Sequence, residues 1–259
     1  MSNARTTASR STEPADRLRL IDAFYGEFND DLPFWLALAD RFGGPLLELG
    51  CGTGRVLRPL AEAGHHLVGL DNDPLALHQL KQRLAPATHA RVRLLRADLP
   101  NLPLAGPFPL AIVPCNTFAY FDDPSALDML HGLRRLAPPG GGLALDLPGP
   151  AAALGEQPRK VWHDSFHEPA LDRDVQVTAH QGAAGPDGAV PVRWQFDEML
   201  PDGQVWRHAI DLRYYPRSPQ DLRTLLEQAG FQLAEVFGGY DQRPYDAQEP
   251  SLLLIAMAV

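Results

Sequence analysis

The chain has 259 residues, of which 45% are hydrophobic, and a formal net charge of -9 at pH 7. This length and apolar content suffice for a full hydrophobic core in one elaborated domain. The acidic charge argues against a nucleic-acid partner, because such partners require clustered Lys and Arg.

The sequence contains no evident membrane segment or secretory signal. No apolar run approaches the ~18 residues needed to cross a bilayer, and residues 1–16 lack the apolar stretch of a secretory signal. The two cysteines, Cys51 and Cys115, give no disulfide framework and suit a reducing compartment. We therefore expect a cytoplasmic protein with no membrane partner, in which residues 1–16 form a disordered tail.

Helical and strand patterns alternate from residue 18 to about residue 147. This alternation is typical of β/α units that build a parallel sheet. The predicted helices are 18–28, 32–42, 55–64, 74–84 and 125–136, and the predicted strands are 45–48, 66–70, 91–96, 109–115 and 143–147.

The pattern changes after residue 148. Residues 175–181, 192–200 and 204–215 alternate apolar and polar side chains and are separated by Gly- and Pro-containing turns, which predicts antiparallel hairpins. A helix at 219–229 and strands at 231–237 and 252–259 follow. We therefore divide the chain into a core, residues 17–148 and 217–259, and an antiparallel insertion, residues 149–216.

The first strand ends in Glu48 and is followed by glycines at alternate positions, Gly50, Gly52 and Gly54. Glycine lets the backbone approach a ligand closely. The dinucleotide fingerprint G-x-G-x-x-G requires a third glycine where this chain has Arg55 or, in the other frame, Leu57. The spacing therefore disfavours NAD and FAD.

The segment from Glu48 to Gly54, which reads Glu-Leu-Gly-Cys-Gly-Thr-Gly, resembles the first motif of class I S-adenosylmethionine (SAM)-dependent methyltransferases. The resemblance implies SAM as cofactor and S-adenosylhomocysteine as product. It also implies an α/β, Rossmann-like, doubly wound sheet of seven strands, parallel except for a C-terminal antiparallel hairpin, with residues 149–216 as an inserted β lid. In the family the turn passes under the methionine part of the cofactor, which here assigns Glu48, Gly50, Cys51, Gly52, Gly54 and Arg55 to that part.

Acidic residues follow the next two predicted strands. Asp71 comes directly after the second strand, where an acid can accept hydrogen bonds from both ribose hydroxyls. Asp98, flanked by Ala97 and Leu99, ends the third strand, where the resemblance implies contacts with adenine. Asn72 is expected to pack on the adenine face or edge.

The fourth strand runs into Pro114, Cys115 and Asn116. In the resembled family this strand end binds the methionine ammonium and meets the methyl acceptor, and the segment is similar to that of small-molecule N-methyltransferases acting on glycine or amino sugars. It differs from the N/D-P-P-Y/F tetrapeptide of enzymes that methylate DNA or glutamine amides. Asn116 is therefore a candidate catalytic residue, with strand-end capping as the alternative.

Two further candidates lie outside these strands. Tyr25 is expected beside the sulfonium, where an aromatic face attracts a cation, with core packing as the alternative. His163 is a candidate base or substrate contact, with a solvated surface histidine as the alternative. It precedes His167 and Glu168 in a spacing that lacks the helical context and third ligand of a metal site, so no metal is expected.

Together these features predict a SAM-dependent methyltransferase that acts on a nitrogen or oxygen of a small molecule. A non-catalytic SAM-binding module and an NAD-dependent oxidoreductase are the alternatives. The aromatic residues of the predicted hairpins are interpreted as lid core or as a dimer face, with an acceptor pocket as the alternative; they are Trp194, Trp206, Tyr214 and Tyr215. This interpretation leaves a homodimer open.

Overall fold

The computed structural model describes residues 7–9, 12–149 and 159–259. The strands in these ranges are β1 (Thr7–Ser9), β2 (Leu46–Leu49), β3 (Leu67–Asp71), β4 (Val92–Arg96), β5 (Leu110–Val113), β6 (Gly142–Pro148), β7 (Arg159–Glu168), β8 (Arg173–Gln181), β9 (Val190–Met199), β10 (Val205–Tyr214), β11 (Phe231–Phe237) and β12 (Ser251–Ala258). The α-helices are α1 (Pro14–Gly26), α2 (Leu32–Phe42), α3 (Leu57–Glu62), α4 (Pro74–Arg83), α5 (Asp123–Leu136) and α6 (Pro219–Gln228).

The described residues divide into two compact units. The first combines the N-terminal segment up to Phe28 with the strands β7 to β10. The second begins at Asn29, continues through β6, and resumes at Tyr215. The predicted core of residues 17–148 is therefore wrong at its start, because α1 belongs with the strands of the insertion.

The second unit contains a seven-stranded sheet in the order β11-β12-β6-β5-β2-β3-β4. The strands from β2 to β6 pair in parallel, and β12 runs antiparallel to both β6 and β11. All four residues of β2 and of β5 are buried, as expected for parallel strands covered on both faces. The predicted fold class is confirmed.

Local sequence signals set the helix starts. The Asp73 side chain accepts from the backbone N–H groups of Leu75 and Ala76 and caps α4, while Ser218 and Asp221 form a capping box on α6. Under the sheet, Trp35 of α2 belongs to a buried core that also contains residues of α3, α4, β2 and β5. These helices fix the strand ends from which the site is built.

The strand order reverses between β2 and β5, because the chain proceeds outward from β2 through β3 and β4 and then returns to β5 on the other side. In open α/β sheets ligands bind at the carboxyl edge beside such a switch point. The glycine turn after β2 and the segment after β5 both lie at that edge.

The first unit contains a five-stranded sheet in the order β1-β10-β9-β8-β7. Leu20 of α1 packs in one core with Val175, Phe196 and Ile210 of the sheet. β1 pairs in parallel with β10 and α1 begins at Pro14, so the predicted disordered tail is wrong at these residues. Residues 1–6, 10 and 11 lie outside the described part. Among the described residues, no helix is long and apolar enough to cross a membrane.

Candidate functional site

The glycine turn is a tight left-handed segment at the carboxyl end of β2. Gly50, Gly52 and Gly54 have φ angles of 71°, 50° and 87°, which residues with a Cβ rarely adopt. The N–H groups of Gly50 and Cys51 donate to the carbonyl of Leu70 at the end of β3, over 2.8 and 3.0 Å. The turn is thereby attached to the neighbouring strand.

The three glycines have different steric surroundings. A Cβ on Gly50 would lie 2.7 Å from Cγ2 of Thr117, and a Cβ on Gly54 would lie 2.2 Å from Cδ1 of Leu80. A Cβ on Gly52 would have no described atom within 4 Å. Gly50 and Gly54 are therefore required by packing within the protein, whereas Gly52 leaves open space in which a ligand can approach the backbone.

Glu48 is a buried acid at the tip of β2. Its side chain is 2% exposed, and its Oε2 atom has no hydrogen-bond partner among the described residues. Burial raises the pKa of Glu48 to about 8, although the nearby Arg55 guanidinium opposes the rise. The N–H groups of Gly50, Cys51, Gly52 and Gly54 donate to acceptors other than Glu48.

Asp71, predicted to bind ribose, holds the glycine turn. Its Oδ2 accepts from the Gly52 N–H over 2.8 Å, and its Oδ1 accepts from the Asp73 N–H over 2.9 Å. Burial is the main cause that raises its pKa, and the two N–H donors oppose it. Each carboxylate oxygen keeps a second lone pair, so Asp71 can still accept from a ligand hydroxyl.

The residues predicted to contact adenine lie together at the ends of β3 and β4. The Ala97 N–H donates to the Asp71 carbonyl over 3.0 Å, and the Asn72 Nδ2 atom lies 3.5 Å from Oδ1 of Asp98. Asn72 and Asp98 are exposed, whereas Leu99 is buried. The structure therefore brings these four residues together with the ribose candidate, and their contacts with a cofactor stay predictions.

The segment after β5 has an unusual backbone. Cys115 and Asn116 have φ angles of 57° and 59°, a left-handed conformation that is unfavourable for residues with a Cβ. Thr117 closes the turn, because its N–H and its hydroxyl both donate to the carbonyl of Pro114, over 3.2 and 2.8 Å. Such conformations persist where surrounding contacts enforce them, and they are common at functional sites.

Arg55 directly follows the glycine turn in the sequence. Its two terminal nitrogens each donate to one oxygen of Asp31 over 2.6 Å, and its Nη2 also donates to the Cys115 sulfur over 2.9 Å. Asp31 is fully buried and accepts a further bond from the Trp35 indole N–H. Burial lowers the pKa of Arg55, but the Asp31 carboxylate outweighs it and the net effect is a rise.

Asp146 and Tyr240 are two further polar residues that are hydrogen-bonded at the carboxyl edge of the sheet, next to Cys115. Asp146, at the end of β6, accepts from the Cys115 N–H and from the Tyr240 hydroxyl, each over 2.9 Å. Burial raises the pKa of Asp146 to about 6 and that of Cys115 to about 11. The cysteine is therefore a neutral thiol at pH 7.

Three polar residues of this edge, Asp31, Asp146 and Tyr240, were not predicted from the sequence. Asp146 could have been predicted, because an acid within the apolar strand Leu-Ala-Leu-Asp-Leu indicates a buried polar group that requires hydrogen-bond donors. Asp31 and Tyr240 carried no local signal, since their roles depend on partners 24 and 94 residues away.

Tyr25 and His163 lie in the first unit. Tyr25 is half-buried on α1, with its ring in an edge-to-face contact with Phe24 at a centroid distance of 5.1 Å. His163 is exposed on β7, opposite Thr178 of β8. Their catalytic and cofactor roles stay predictions. Within the described ranges, no three His, Cys, Asp or Glu side chains converge as metal ligands.

The site fits a cofactor with a cationic amino acid end. A buried Glu48 oxygen lacks a partner, Gly52 leaves space beside the turn, and Asp71 has acceptor capacity left. A cation beside Glu48 would favour its ionised form and would satisfy the free oxygen. These features match the methionine and ribose ends of SAM.

Comparisons with known proteins agree with this reading. A family model described as a methyltransferase domain matches residues 46–141. The cypemycin N-terminal methyltransferase of a Streptomyces species is 26% identical over 216 residues, which is 82% of each chain. Among solved structures, the CcbJ methyltransferase of Streptomyces caelestis has a TM-score of 0.76 at 19% identity and covers 89% of this chain and 96% of its own. CalS10, a SAM-bound amino pentose methyltransferase of Micromonospora echinaspora, has a TM-score of 0.73 at 18% identity, with 93% and 96% covered.

Proposed function

We propose that this chain, which is a class I SAM-dependent methyltransferase, transfers the methyl group of SAM to an amine nitrogen of a small molecule. The observation that carries the choice of nitrogen is the relative that matches over 82% of both chains and is an N-terminal methyltransferase. The structural neighbour CalS10 is an amino pentose methyltransferase, which supports the same choice.

The ligand-facing groups of the second unit support this chemistry. When bound, SAM supplies an electrophilic methyl group on a sulfonium. We assign Glu48 to the methionine ammonium, the open face of Gly52 to the methionine chain, and Asp71 to the ribose hydroxyls. Asp98 and Asn72, which lie at the ends of the next two strands, are assigned to adenine.

The acceptor is assigned to the segment that follows β5. Asn116 is half-buried and has a left-handed backbone. It lies at the carboxyl edge of the sheet, because it follows β5. An amide side chain can accept a hydrogen bond from an amine N–H and leave the nitrogen lone pair free to attack. The nitrogen–carbon bond then forms as the sulfur–carbon bond breaks, and the proton on nitrogen leaves to solvent.

Orientation supplies most of the rate in this mechanism. Holding an amine in line with a methyl group converts a bimolecular step into an intramolecular one, which can lower the barrier by about 7–11 kcal/mol. An amine that arrives as an ammonium must first lose a proton. We therefore expect kcat/KM to rise with pH until the acceptor amine is neutral.

The test is release of S-adenosylhomocysteine with acceptors that differ in one atom. Amino sugars and short peptides with a free N-terminus are compared with hydroxyl analogues of the same shape, and mass spectrometry locates the added methyl group. Methylation of the amines alone is the expected result. Methylation of the hydroxyl analogues alone would show that the acceptor is oxygen and would contradict the choice of nitrogen. Tight S-adenosylhomocysteine binding without turnover on any amine would support the non-catalytic module.

We further propose that the protein acts in the cytoplasm, without a nucleic-acid partner and as a homodimer. Cys51 and Cys115 are both free thiols, and the net charge is -9. Fractionation of cells that produce the tagged chain tests the first point. Light scattering of the purified chain tests the dimer.

A further inference from the structure

The carboxylate of Asp146 joins two segments that are distant in the sequence. Asp146 is 4% exposed, and a single oxygen atom, Oδ2, accepts from both the Cys115 N–H and the Tyr240 hydroxyl. Cys115 follows β5, whereas Tyr240 lies between β11 and β12. Asp146 therefore ties the end of β5 to a loop 94 residues later than itself.

Cys115 is held from a second direction by Arg55. The Cys115 sulfur accepts from the guanidinium that Asp31 holds with two bonds of 2.6 Å. The main chain of Cys115 is thus fixed by Asp146, and its side chain by Arg55. Both holding groups are largely buried, so water does not compete strongly for these bonds.

The held residue is the one with the unfavourable backbone. Cys115 and Asn116 are consecutive residues with positive φ, and neither is glycine. Residues in this conformation revert to ordinary φ angles unless neighbouring contacts enforce it. The Asp146 oxygen is the acceptor for the Cys115 N–H, so it is one of the contacts that select the left-handed form.

We propose that Asp146 and Tyr240 are positioning residues of the methyltransferase site, which act by holding the left-handed Cys115–Asn116 backbone in its binding conformation. This inference rests on the proposed assignment of that segment to the site. Tyr240 orients the Asp146 carboxylate, and the carboxylate fixes the Cys115 amide. Neither residue is assigned a contact with the acceptor.

The test uses variants that remove or weaken the hydrogen bonds accepted by Asp146. Tyr240→Phe deletes the hydroxyl and keeps the ring that packs near Phe34 at 6.1 Å between centroids. Asp146→Asn keeps the side-chain shape and removes the charge. Tyr245→Phe is the matched control, because it makes the same chemical change in the same loop at a side chain with no hydrogen bond to the described residues. Calorimetry measures the Kd of S-adenosylhomocysteine, and amide hydrogen exchange measures the protection of Cys115.

We expect Tyr240→Phe to raise the Kd by about fivefold, the effect of one lost buried hydrogen bond, and Asp146→Asn to raise it by a similar factor, because the neutral amide oxygen accepts both bonds more weakly. Both should also speed exchange of the Cys115 amide, while Tyr245→Phe leaves both quantities unchanged. A Kd within twofold of wild type in Tyr240→Phe, with unchanged exchange, overturns the inference even if Asp146→Asn fails to fold. S-adenosylhomocysteine binds whichever acceptor is used, so failure of the amine assay contradicts the proposed function and leaves this comparison valid.

A pH series adds a readout that a purely structural role would not move. Burial raises the pKa of Asp146 to about 6, with Tyr240, Cys115, Asp31 and Arg55 as the groups facing it. The wild-type Kd should therefore rise as pH falls through about 6, because the protonated acid no longer accepts both bonds as strongly. Asp146→Asn should show a shallower dependence over the same interval. Parallel curves for the two proteins contradict the positioning role of the ionised carboxylate.

Discussion

Arg55, which directly follows the glycine turn, forms a bidentate ion pair with Asp31. Nη1 and Nη2 of the arginine each lie 2.6 Å from one oxygen of the aspartate. The side chain of Asp31 is fully buried, and that of Arg55 is 12% exposed. Arg55 occupies a position where the dinucleotide fingerprint would require glycine. Arg55, whose place in the glycine motif disfavours NAD, thus has a structural role of its own.

Asp31→Ala should lower the free energy of unfolding by about 3–5 kcal/mol, because it leaves the Arg55 guanidinium buried without its carboxylate. Urea unfolding measures the change. Glu235→Ala is the control, since it breaks the largely exposed Arg41–Glu235 pair, whose atoms lie 2.6 Å apart, and should cost less than about 1 kcal/mol. Equal losses in the two variants would contradict the importance assigned to the buried pair.

Glu48 should make the cofactor-free protein less stable as pH rises. Burial raises its pKa to about 8 in the folded state, so the folded protein binds this proton more tightly than the unfolded chain. The stabilisation is complete below the unfolded pKa of about 4.3 and is lost as pH rises to about 8, by at most about 1.4 kcal/mol per pH unit. Glu48→Gln cannot titrate and should show a flatter profile.

Urea unfolding of wild type and Glu48→Gln at pH 6, 7 and 8 checks this prediction. Asp71 and Asp146 also have raised pKa values and contribute in the same direction, so the informative quantity is the difference between the two proteins. The free energy of unfolding of Glu48→Gln should increase relative to that of wild type from pH 6 to pH 8. A constant difference would show that Glu48 keeps its ordinary pKa.

Asp71→Ala should weaken S-adenosylhomocysteine binding by about tenfold or more, since it removes the acceptor assigned to two ribose hydroxyls and each charged hydrogen bond contributes about 1.5–3 kcal/mol. It also leaves the N–H groups of Gly52 and Asp73 without their acceptor. Asp73→Ala is the control, because it removes a neighbouring carboxylate, the N-cap of α4, that lies outside the assigned ribose contact. Calorimetry that finds equal Kd values for the two variants would refute the ribose assignment.

Asn116→Gly should lower kcat by about tenfold to a hundredfold and leave the Kd of S-adenosylhomocysteine within twofold, because orientation of the acceptor is lost while cofactor contacts remain. Glycine tolerates the φ of 59° at this position, so the backbone is preserved. Steady-state kinetics with an accepted amine and calorimetry check the two quantities. An unchanged kcat would leave Asn116 with the role of a strand-end cap alone.

The sequence was sufficient for the parallel sheet, because its strands are apolar runs closed by recognisable caps and glycines. Helix 32–42 and strand 231–237 match α2 and β11. β7 was not predicted, since its inner face includes the charged Glu168, whose burial depends on Arg19 of α1, 2.7 Å away. The same pairing explains why α1 was assigned to the wrong unit.

The positions of candidate site residues could be predicted where the residue lies at the end of a predicted strand. Asp71, Ala97 and Pro114 each come at the end of a parallel strand, so chain order alone places them at one edge. The groups that hold this edge rigid, Asp31 and Tyr240, were not predictable. Their function depends on hydrogen bonds that form only when distant segments pack together.

The central claim is that the cofactor passes over Gly52, and S-adenosylhomocysteine binding to Gly52→Ala tests it most directly. Gly188→Ala is the control, since both glycines have positive φ, 50° and 77°, and at both a Cβ would meet no described atom within 4 Å. The two variants should therefore have similar backbone strain and similar Tm values. We predict that Gly52→Ala raises the Kd by about tenfold or more through steric exclusion, whereas Gly188→Ala binds like wild type. Equal, wild-type binding by both variants would contradict the proposed cofactor position.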